Sequence, residues 1–381
     1  MRIAFLNWRD LSHPEGGGAE RYAQTICAGL ASRGHDVVFF CAAHDGAPAL
    51  DHVDGYRIVR AGGRVGVYPS SLVALRREAF RAGRFDVIID TQNGVPFWVP
   101  LVSRTPAISL VHHVHREQWP VVFGPVMSRI GWWLESRVAP LVYRRVHCVT
   151  VSDRSREELV ELGRDPERMQ VIHNGADRPL ESRVPRSEHP TIVVLGRLVP
   201  HKRVELAIDV LARLRSAHPD LELRIIGDGW WRHEIERHAA AVGVADRVHL
   251  LGYVDEATKH RELSRAWLAL APSAKEGWGL NVVEAASHGV PTIAHHGAGG
   301  LSESIVDGVT GVLVRDVAEM ARVADRLLTE QAEREGLGRR AKALSGRYSW
   351  MAAVDEWERL LEEHALGVSD LQRVDEEEAT A

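Results

Sequence analysis

The stretch TIVVLGRLVPHKRVELAIDVL, residues 191–211, contains one complete unit of the predicted fold. Its start, Ile192–Leu195, is a short apolar run typical of a buried strand, and a glycine-bearing loop follows. From there the apolar residues recur at helical spacing, at Val204, Ala207, Ile208, Leu211 and Leu214. A buried strand, a loop and an amphipathic helix in this order indicate a βα unit of a parallel sheet.

Comparable apolar runs alternate with helical stretches on both sides of this unit. Before it, the predicted strands are Ile3–Leu6, Val37–Phe40, Val87–Ile89 and Ile108–Val111. After it, they are Leu223–Ile226, Val248–Leu251, Leu268–Leu270, Thr292–Ala294 and Val312–Val314. Between the two series, residues 178–190 are proline-rich and charged and have no apolar period, which predicts an interdomain linker.

The length of 381 residues also favours two domains, since single cores stop growing at roughly 250–300 residues. We predict an α/β protein with two Rossmann-like, doubly wound domains, over residues 1–180 and 181–347. A helix over 348–366 is expected to pack back toward the N-terminal domain. The acidic stretch 367–381 is expected to be disordered.

The composition is that of an ordinary globular chain, with 45% hydrophobic and 26% charged residues. A formal net charge of −5 argues against a general nucleic-acid binder. No apolar run approaches ~20 residues, so no membrane span is predicted. The isolated Cys27, Cys41 and Cys148 are expected to be reduced core residues, and the strand-like start does not resemble a signal peptide. These observations predict a cytoplasmic protein.

One segment of the N-terminal half combines aromatic and basic residues. Residues 57–145 contain 13 arginines and five acidic residues, and 121–145 adds Phe123, Met127, Ile130, Trp132 and Trp133. Such a segment suits an interfacial helix that contacts an anionic membrane at the inner face. The alternative is an ordinary core helix with a salt-bridged outer face.

Two carboxylates mark the strand-to-helix turn EGWGLNVVE, residues 276–284. Glu276 stands in the loop and Glu284 on the helix that follows. Ionised carboxylates accept charge-assisted hydrogen bonds from neighbouring sugar hydroxyls, so the pair suits a polyhydroxylated ligand. Alternatively, Glu284 only offsets the helix dipole and Glu276 is a loop charge.

Two cations follow the strand Ile192–Leu195. Arg197 and Lys202 are placed at the carboxyl end of this strand, where open α/β sheets bind phosphates. Lys202 is one of only four lysines, against 43 arginines, and a compact ammonium suits a phosphate oxygen. The two side chains are therefore predicted to neutralise a diphosphate, the alternative being a surface salt bridge.

Four motifs in this order resemble the retaining glycosyltransferase family 4, also described as glycosyl transferases group 1. They are Gly196-Arg197-Leu198 with Lys202, Ile226-Gly227-Asp228-Gly229, Leu251-Gly252-Tyr253-Val254, and Glu276 with Glu284. The resemblance extends from Met1 to about Leu366. It implies the GT-B fold, in which two Rossmann-like domains face each other across a cleft.

The resemblance also implies an activity and a donor site. The activity is transfer of a sugar, with retention, from a UDP- or GDP-linked donor to a hydroxyl acceptor, without a metal ion or other cofactor. The acceptor class stays open between a glycan, a lipid-linked sugar and a small molecule. Arg197 and Lys202 would hold the diphosphate, Glu276 the sugar hydroxyls and Glu284 the ribose, while backbone at Tyr253 and Val254 would read the base. The remaining donor-binding residues would be Gly227, Gly277, Trp278, Gly279, Leu280 and Asn281.

In the N-terminal half the resemblance singles out a glycine loop and a histidine. Gly17 and Gly18 would approach the donor through their backbone, and His112 would hydrogen-bond the donor sugar or the acceptor side. His113 and His115 beside it are expected to be structural or part of an acceptor loop. A metal site at the three histidines is the weaker interpretation, because no carboxylate or cysteine stands at the usual ligand spacing.

Two other function classes stay open on the same architecture. A sugar-nucleotide epimerase or hydrolase would turn over the donor without an acceptor. A non-catalytic protein would bind the nucleotide sugar and leave it unchanged.

Overall fold

The structure, a computed structural model, describes residues 1–176 and 184–379, with side chains described through Ala365. Part of the predicted linker 178–190 therefore lies outside the described residues. The chain forms two compact units, one over Met1–His173 together with the helix that begins at Trp350, the other over Asn174–Ser349.

The first unit contains an eight-stranded sheet in the order β3-β4-β2-β1-β5-β6-β7-β8. Its strands are β1 Arg2–Leu6, β2 Asp36–Cys41, β3 Leu50–Val53, β4 Tyr56–Arg60, β5 Val87–Thr91, β6 Ala107–Val111, β7 His147–Thr150 and β8 Met169–Val171. Every neighbouring pair is parallel except the antiparallel β3 and β4. The central strands are almost fully buried, as expected for a sheet covered on both faces.

Seven helices connect these strands. They are α1 Gly18–Ser32, α2 Val67–Ala82, α3 Val99–Val102, α4 Trp119–Val122, α5 Pro125–Trp133, α6 Ala139–Val142 and α7 Asp153–Glu161. A π-helical segment, Leu134–Val138, joins α5 to α6, and a 3₁₀ turn over Pro166–Arg168 precedes β8.

The second unit contains six parallel strands in the order β11-β10-β9-β12-β13-β14. They are β9 Thr191–Leu195, β10 Glu222–Ile226, β11 Val248–Gly252, β12 Leu268–Ala271, β13 Thr292–His295 and β14 Gly311–Val314. This is the doubly wound order 3-2-1-4-5-6, in which the direction of winding reverses between β9 and β12. Ligands of such sheets bind at that reversal, beyond the carboxyl ends of the strands.

The helices of the second unit cover both faces of its sheet. They are α8 Val204–Leu214, α9 Arg232–Ala241, α10 Glu256–Arg265, α11 Leu280–Ser287, α12 Leu301–Ser304, α13 Val317–Thr329 and α14 Gln331–Ser345, with 3₁₀ turns over Pro200–Lys202 and Ala245–Arg247. The apolar stripe predicted for α8 is buried at every position and packs into the main core of the unit. This confirms the βα unit over residues 191–211.

The last helix, α15 Trp350–Ala379, belongs to the first unit. Trp357 is fully buried and its Nε1 donates to the Tyr22 hydroxyl at 2.5 Å. Arg33 pairs with Glu358 at 2.6 Å. Because glutamate is a good helix former, the backbone of the acidic stretch continues the helix to Ala379, whereas its composition had predicted disorder for 367–381.

The boundaries between the units differ by a few residues from those predicted. The chain enters the second unit after His173 rather than after 180, since the Ala176 amide donates to the Tyr348 carbonyl at 3.1 Å. It leaves after Ser349 rather than after 347. Within the described residues, no helix is both long enough and apolar enough to cross a bilayer.

Candidate functional site

The site in the second unit is formed by the loops after β9 and β12, the two strands between which the winding reverses. The loop after β9 contains Arg197 and Lys202 and ends at Arg203, which has a left-handed backbone with φ of 49°. A left-handed residue other than glycine is strained, and such strain concentrates at functional sites. The strained turn fixes Lys202 directly ahead of α8.

The loop after β10 packs against the loop after β9. Leu198 donates its amide to the Asp228 carbonyl at 2.9 Å, which ties the loop after β9 to the loop after β10. Gly227, with φ of 127°, lies so close that an added Cβ would stand 2.1 Å from the Gly196 oxygen. Only glycine fits this contact, so the role of Gly227 visible in the structure is close packing of backbone.

Glu276 lies in the loop after β12 and contacts Lys202. The Lys202 ammonium donates to Glu276 Oε1, and the Ser273 hydroxyl donates to the same oxygen at 2.7 Å. The Glu276 side chain is 13% exposed. Burial raises the pKa of Glu276, but the Lys202 charge and the two hydrogen bonds outweigh it and hold the pKa below its ordinary value. Glu276 is therefore an ionised, nearly buried carboxylate.

The backbone on both sides of Glu276 is also held. Its amide donates to the Ala298 carbonyl at 2.9 Å, and its carbonyl accepts from the Gly300 amide at 2.9 Å. The glycine loop after β13 thus fixes the Glu276 backbone while Lys202 and Ser273 fix its carboxylate. The residue is preorganised rather than mobile.

Glu284 lies on α11 and pairs with a different lysine. Lys259 on α10 donates to Glu284 Oε1 at 2.6 Å. Lys202 therefore contacts Glu276, whereas Glu284 contacts Lys259. Sequence analysis missed Lys259, although its rarity was a signal, since three of the four lysines, Lys202, Lys259 and Lys275, belong to this edge of the unit.

The start of α11 is joined to the first strand of the site. Gly279 caps the helix with φ of 82°, a left-handed conformation that favours glycine. Asn281 Nδ2 donates to the Leu195 carbonyl at 3.2 Å. The first turn, from Leu280, thus opens beside the end of β9, where its amides would favour an anion.

Not all predicted donor-site side chains face solvent. Trp278 is 2% exposed and its ring packs edge-on against Tyr348 at 4.9 Å, so its side chain serves packing, and only its backbone and that of Gly277 line the loop. Tyr253 is 70% exposed, and the neighbouring Val254 packs against the core.

In the first unit, His112 follows β6 and is 5% exposed. Within the described residues its Nε2 has no hydrogen-bond partner, while its ring packs edge-on against Tyr22 at 5.2 Å. Burial and the neighbouring His115 lower the pKa of His112 to about 4. His112 is therefore a buried, neutral imidazole at neutral pH.

The other two histidines are held by their own side-chain partners. His115 Nδ1 contacts Glu135 Oε1 at 3.0 Å, and Trp119 Nε1 donates to Glu135 Oε2 at 2.6 Å. His113 Nε2 contacts Gln118 at 2.9 Å. Glu135 lies in the π-helical segment and was missed by the sequence analysis. In the described part of the chain, no three potential metal ligands come together.

The glycine loop ahead of α1 is closed by its own helix. The Gly17 amide donates to Glu20 Oε2 at 2.8 Å, and Glu20 is almost fully buried. That amide is therefore already bonded, and Gly18 begins the helix. A second polar cluster that the sequence did not predict lies nearby, where Arg60 donates to the buried Asp10 at 2.5 Å.

The segment 121–145 exposes several of its large apolar residues, whereas Trp132 packs against the core and Tyr143 is fully buried. Val126, Met127, Ile130, Trp133 and Leu141 are 45–67% exposed, and the inner face holds the smaller or polar Ser128, Gly131, Glu135, Ser136 and Ala139. Exposed arginines flank them at 116, 129, 137, 144 and 145. An ordinary core helix would turn its large apolar residues inward.

Comparisons with known proteins agree on one family. The profile described as "Glycosyltransferase Family 4" matches residues 16–178, and that of "Glycosyl transferases group 1" matches residues 178–344. The chain is 28% identical over 394 residues to the glycogen synthase of Mycobacterium tuberculosis, an alignment that covers 93% of this chain and 92% of the relative.

Solved structures show the same architecture. Sucrose-phosphate synthase from Thermosynechococcus elongatus superposes with a TM-score of 0.81 at 20% identity, over 95% of this chain and 98% of that one. The Anabaena protein HepE, solved in complex with UDP-glucose, superposes with a TM-score of 0.74 at 20% identity, over 95% of this chain and 100% of the other.

Proposed function

From the premise that the chain belongs to the glycosyltransferases of family 4 and group 1 and has the GT-B fold, we propose a reaction for it. The reaction transfers a sugar from a UDP- or GDP-linked donor to a hydroxyl acceptor, with retention at the anomeric carbon and without a metal ion. The UDP-glucose of the HepE complex supports a nucleotide-sugar donor.

The observation that carries the proposal is the contact between Lys202 and Glu276 at the reversal of the sheet. A donor would bring a diphosphate to Lys202 and Arg197 and sugar hydroxyls to Glu276. The diphosphate would then replace Glu276 as the partner of Lys202, while Glu276 accepts hydrogen bonds from the sugar. In the complex Lys202 keeps a charged partner, the diphosphate, while Glu276 keeps neutral hydrogen-bond donors, the sugar hydroxyls and Ser273, so neither ionised group is left without a partner.

The cations also supply what a metal ion would otherwise supply. When the glycosidic bond breaks, negative charge builds up on the departing diphosphate, and fixed positive charge lowers the free energy of that transition state. A diphosphate oxygen on the face of the departing bond would take the acceptor proton, and attack on the same face gives retention. His112, neutral at physiological pH, would hydrogen-bond the donor sugar or the acceptor.

Binding and turnover are tested separately. A thermal-shift panel of nucleoside diphosphates and their sugars identifies the donor, because a ligand of the native state raises Tm. With that donor, Lys202→Ala and Glu276→Ala are each expected to lower kcat about 100-fold, as for loss of a charge contact in the transition state. Lys342→Ala, an exposed lysine on α14, is the matched control. Near-normal rates in the two site variants would contradict the assigned roles.

The same assays separate the other function classes. Release of nucleoside diphosphate without an acceptor would indicate a hydrolase, and a changed sugar stereocentre an epimerase. A thermal shift with no turnover in a panel of glycan, lipid-linked and small hydroxyl acceptors would indicate a non-catalytic binding protein.

We further propose that the segment 121–145 binds an anionic membrane surface at the cytoplasmic face. Its exposed face combines Ile130, Trp133 and Leu141 with arginines. Residues 116–145, all described in the structure, contain one exposed acidic residue, Glu117. Apolar insertion together with attraction to anionic lipid is the combination that binds interfacial helices.

Vesicle co-sedimentation tests this contact. The chain is expected to sediment with vesicles of phosphatidylcholine and phosphatidylglycerol but not with pure phosphatidylcholine, and Trp133→Glu is expected to release it. Phe80→Glu is the control, because Phe80 is 93% exposed in the same unit but lies outside the segment. Equal binding by both variants, or by both kinds of vesicle, would contradict the proposal.

A further inference from the structure

We propose that Lys259 is a positioning residue for donor binding, acting through the Glu284 carboxylate on the ribose hydroxyls of the nucleotide. The inference rests on the proposed function, because it takes Glu284 as the ribose-binding carboxylate. Lys259 itself is not expected to touch the reacting atoms.

The geometry places Lys259 between two carboxylates on two helices. Its Nζ lies 2.6 Å from Glu284 Oε1 on α11 and 2.7 Å from Glu256 Oε2 on its own helix, α10. The side chains of Lys259 and Glu284 are 12% and 14% exposed, whereas Glu256 is 49% exposed. The nearly buried pair is therefore Lys259 with Glu284, and Glu256 supports it from the solvent side.

The charge of this pair is secured by its surroundings. Burial lowers the pKa of Lys259, but Glu284 and Glu256 outweigh it and leave the pKa above its ordinary value. The ammonium thus stays charged beside the Glu284 carboxyl group. A carboxylate can accept about four hydrogen bonds, so the capacity of the group allows a bond from Lys259 together with bonds from a vicinal diol.

The second contribution of Lys259 is conformational. A free glutamate side chain loses up to about 2 kcal/mol of rotamer entropy when a ligand fixes it. Lys259 fixes Glu284 before the ligand arrives, which removes part of that cost from binding. Lys259 also lies one turn into α10, which begins at Glu256, shortly after Tyr253 and Val254. Through Lys259, this helix connects the loop that is proposed to contact the base with the carboxylate that is proposed to contact the ribose.

The position suits lysine better than arginine. A compact ammonium with three donors can serve two carboxylates on different helices, whereas a planar guanidinium needs an aligned fork. In a chain with four lysines and 43 arginines, a lysine here is not a reflection of general composition.

The test compares ligands that differ only in the ribose diol. With UDP or GDP, whichever raises Tm more, Lys259→Met is expected to raise Kd about tenfold, the scale of one charge-assisted contact. The 2′,3′-dideoxy nucleotide and inorganic pyrophosphate are expected to change less than about twofold, since they do not use Glu284. The donor KM should rise by the same factor as Kd with kcat nearly unchanged. Lys342→Met is the matched control.

Two further variants keep the inference falsifiable. Glu284→Gln should weaken the same ligands, and adding Lys259→Met to it should cause little further loss, because both act through one carboxylate. Lys259→Arg keeps the charge but not the compact ammonium, so it should restore part of the affinity, and it tests the pair even if Lys259→Met folds poorly.

The outcomes separate this inference from the function on which it rests. Equal weakening of all three ligands, or none, would show that Lys259 merely joins α10 to α11 and would overturn the inference. If the unmodified chain binds no nucleoside diphosphate at all, the proposed function fails first.

Discussion

Replacing Lys202 by methionine removes one charge from a nearly buried ion pair. The side chains of Lys202 and Glu276 are 17% and 13% exposed, and the Ser273 hydroxyl would be the remaining partner of Glu276 described in the structure. Two unit charges about 4 Å apart attract by about 4 kcal/mol at an effective dielectric constant of about 20, against about 1 kcal/mol in water. Because both groups keep some exposure, we expect Lys202→Met to destabilise the second unit by about 2 kcal/mol at neutral pH.

The loss should depend on pH in a defined direction. In the unmodified chain the folded-state pKa of Glu276 is depressed, so its contribution is present above the unfolded pKa of about 4.3 and is lost as pH falls through the depressed value. Without Lys202, burial raises the folded pKa above the unfolded one, and protonation then relieves the buried charge. The stability difference between the two proteins should therefore narrow by roughly half as pH falls from about 7.5 to about 4.5.

Hydrogen exchange of the α8 and α11 amides, corrected for intrinsic rates, measures the stability of this unit separately from the other. The double variant Lys202→Met with Glu276→Gln should recover most of the lost stability, because it no longer contains the unpaired negative charge of Glu276. An equal loss at both pH values, together with a double variant no more stable than the single one, would refute the reasoning.

Three further predictions concern packing and burial. Gly227→Ala should destabilise the second unit by about 2–4 kcal/mol, since its Cβ would stand 2.1 Å from the Gly196 oxygen, whereas Gly346→Ala, whose nearest contact is 3.5 Å, should change urea unfolding little. Burial, only partly offset by hydrogen bonds from Tyr143, Phe97 and Val99, raises the pKa of Asp90 to about 6. The free energy of unfolding of the first unit should therefore fall by roughly 2–3 kcal/mol as pH rises from about 4 to about 6. Asp90→Asn should flatten this pH dependence in unfolding experiments across the same range. Trp357→Phe should cost about 2 kcal/mol in urea unfolding through loss of the bond to Tyr22 and some volume, while Trp230→Phe at a 58% exposed position should cost less than about 0.5 kcal/mol.

The sequence predicted most of the buried strands, though not β7, and the helix with the clearest stripe. Ile192–Leu195 and α8 could be assigned because a continuous apolar run and a helical apolar period can each be recognised within a short stretch of sequence. The antiparallel pair β3 and β4 was missed, since β3 is a half-exposed edge strand whose pairing depends on a partner rather than on its own composition.

The part of the site that lies in the loops at the carboxyl ends of the strands could be predicted from the sequence. The loops after β9 and β12 meet because their strands are neighbours, which brings Lys202 to Glu276. Their roles toward a donor stay predictions. Lys259 and Glu135 could not be found in the same way, because each reaches its partner from a helix, and the rotation of a helix is set by tertiary packing.

The path of the chain has a practical consequence for engineering. Residues 174–349 form an insertion within the first unit, and their entry and exit are neighbours, bonded from the Ala176 amide to the Tyr348 carbonyl. A segment whose two ends meet can be excised as a cassette, produced alone, or exchanged for the matching cassette of a relative by two splice points. A chimera made at these two positions would transplant the whole second unit while leaving α15 attached to its own partner helix.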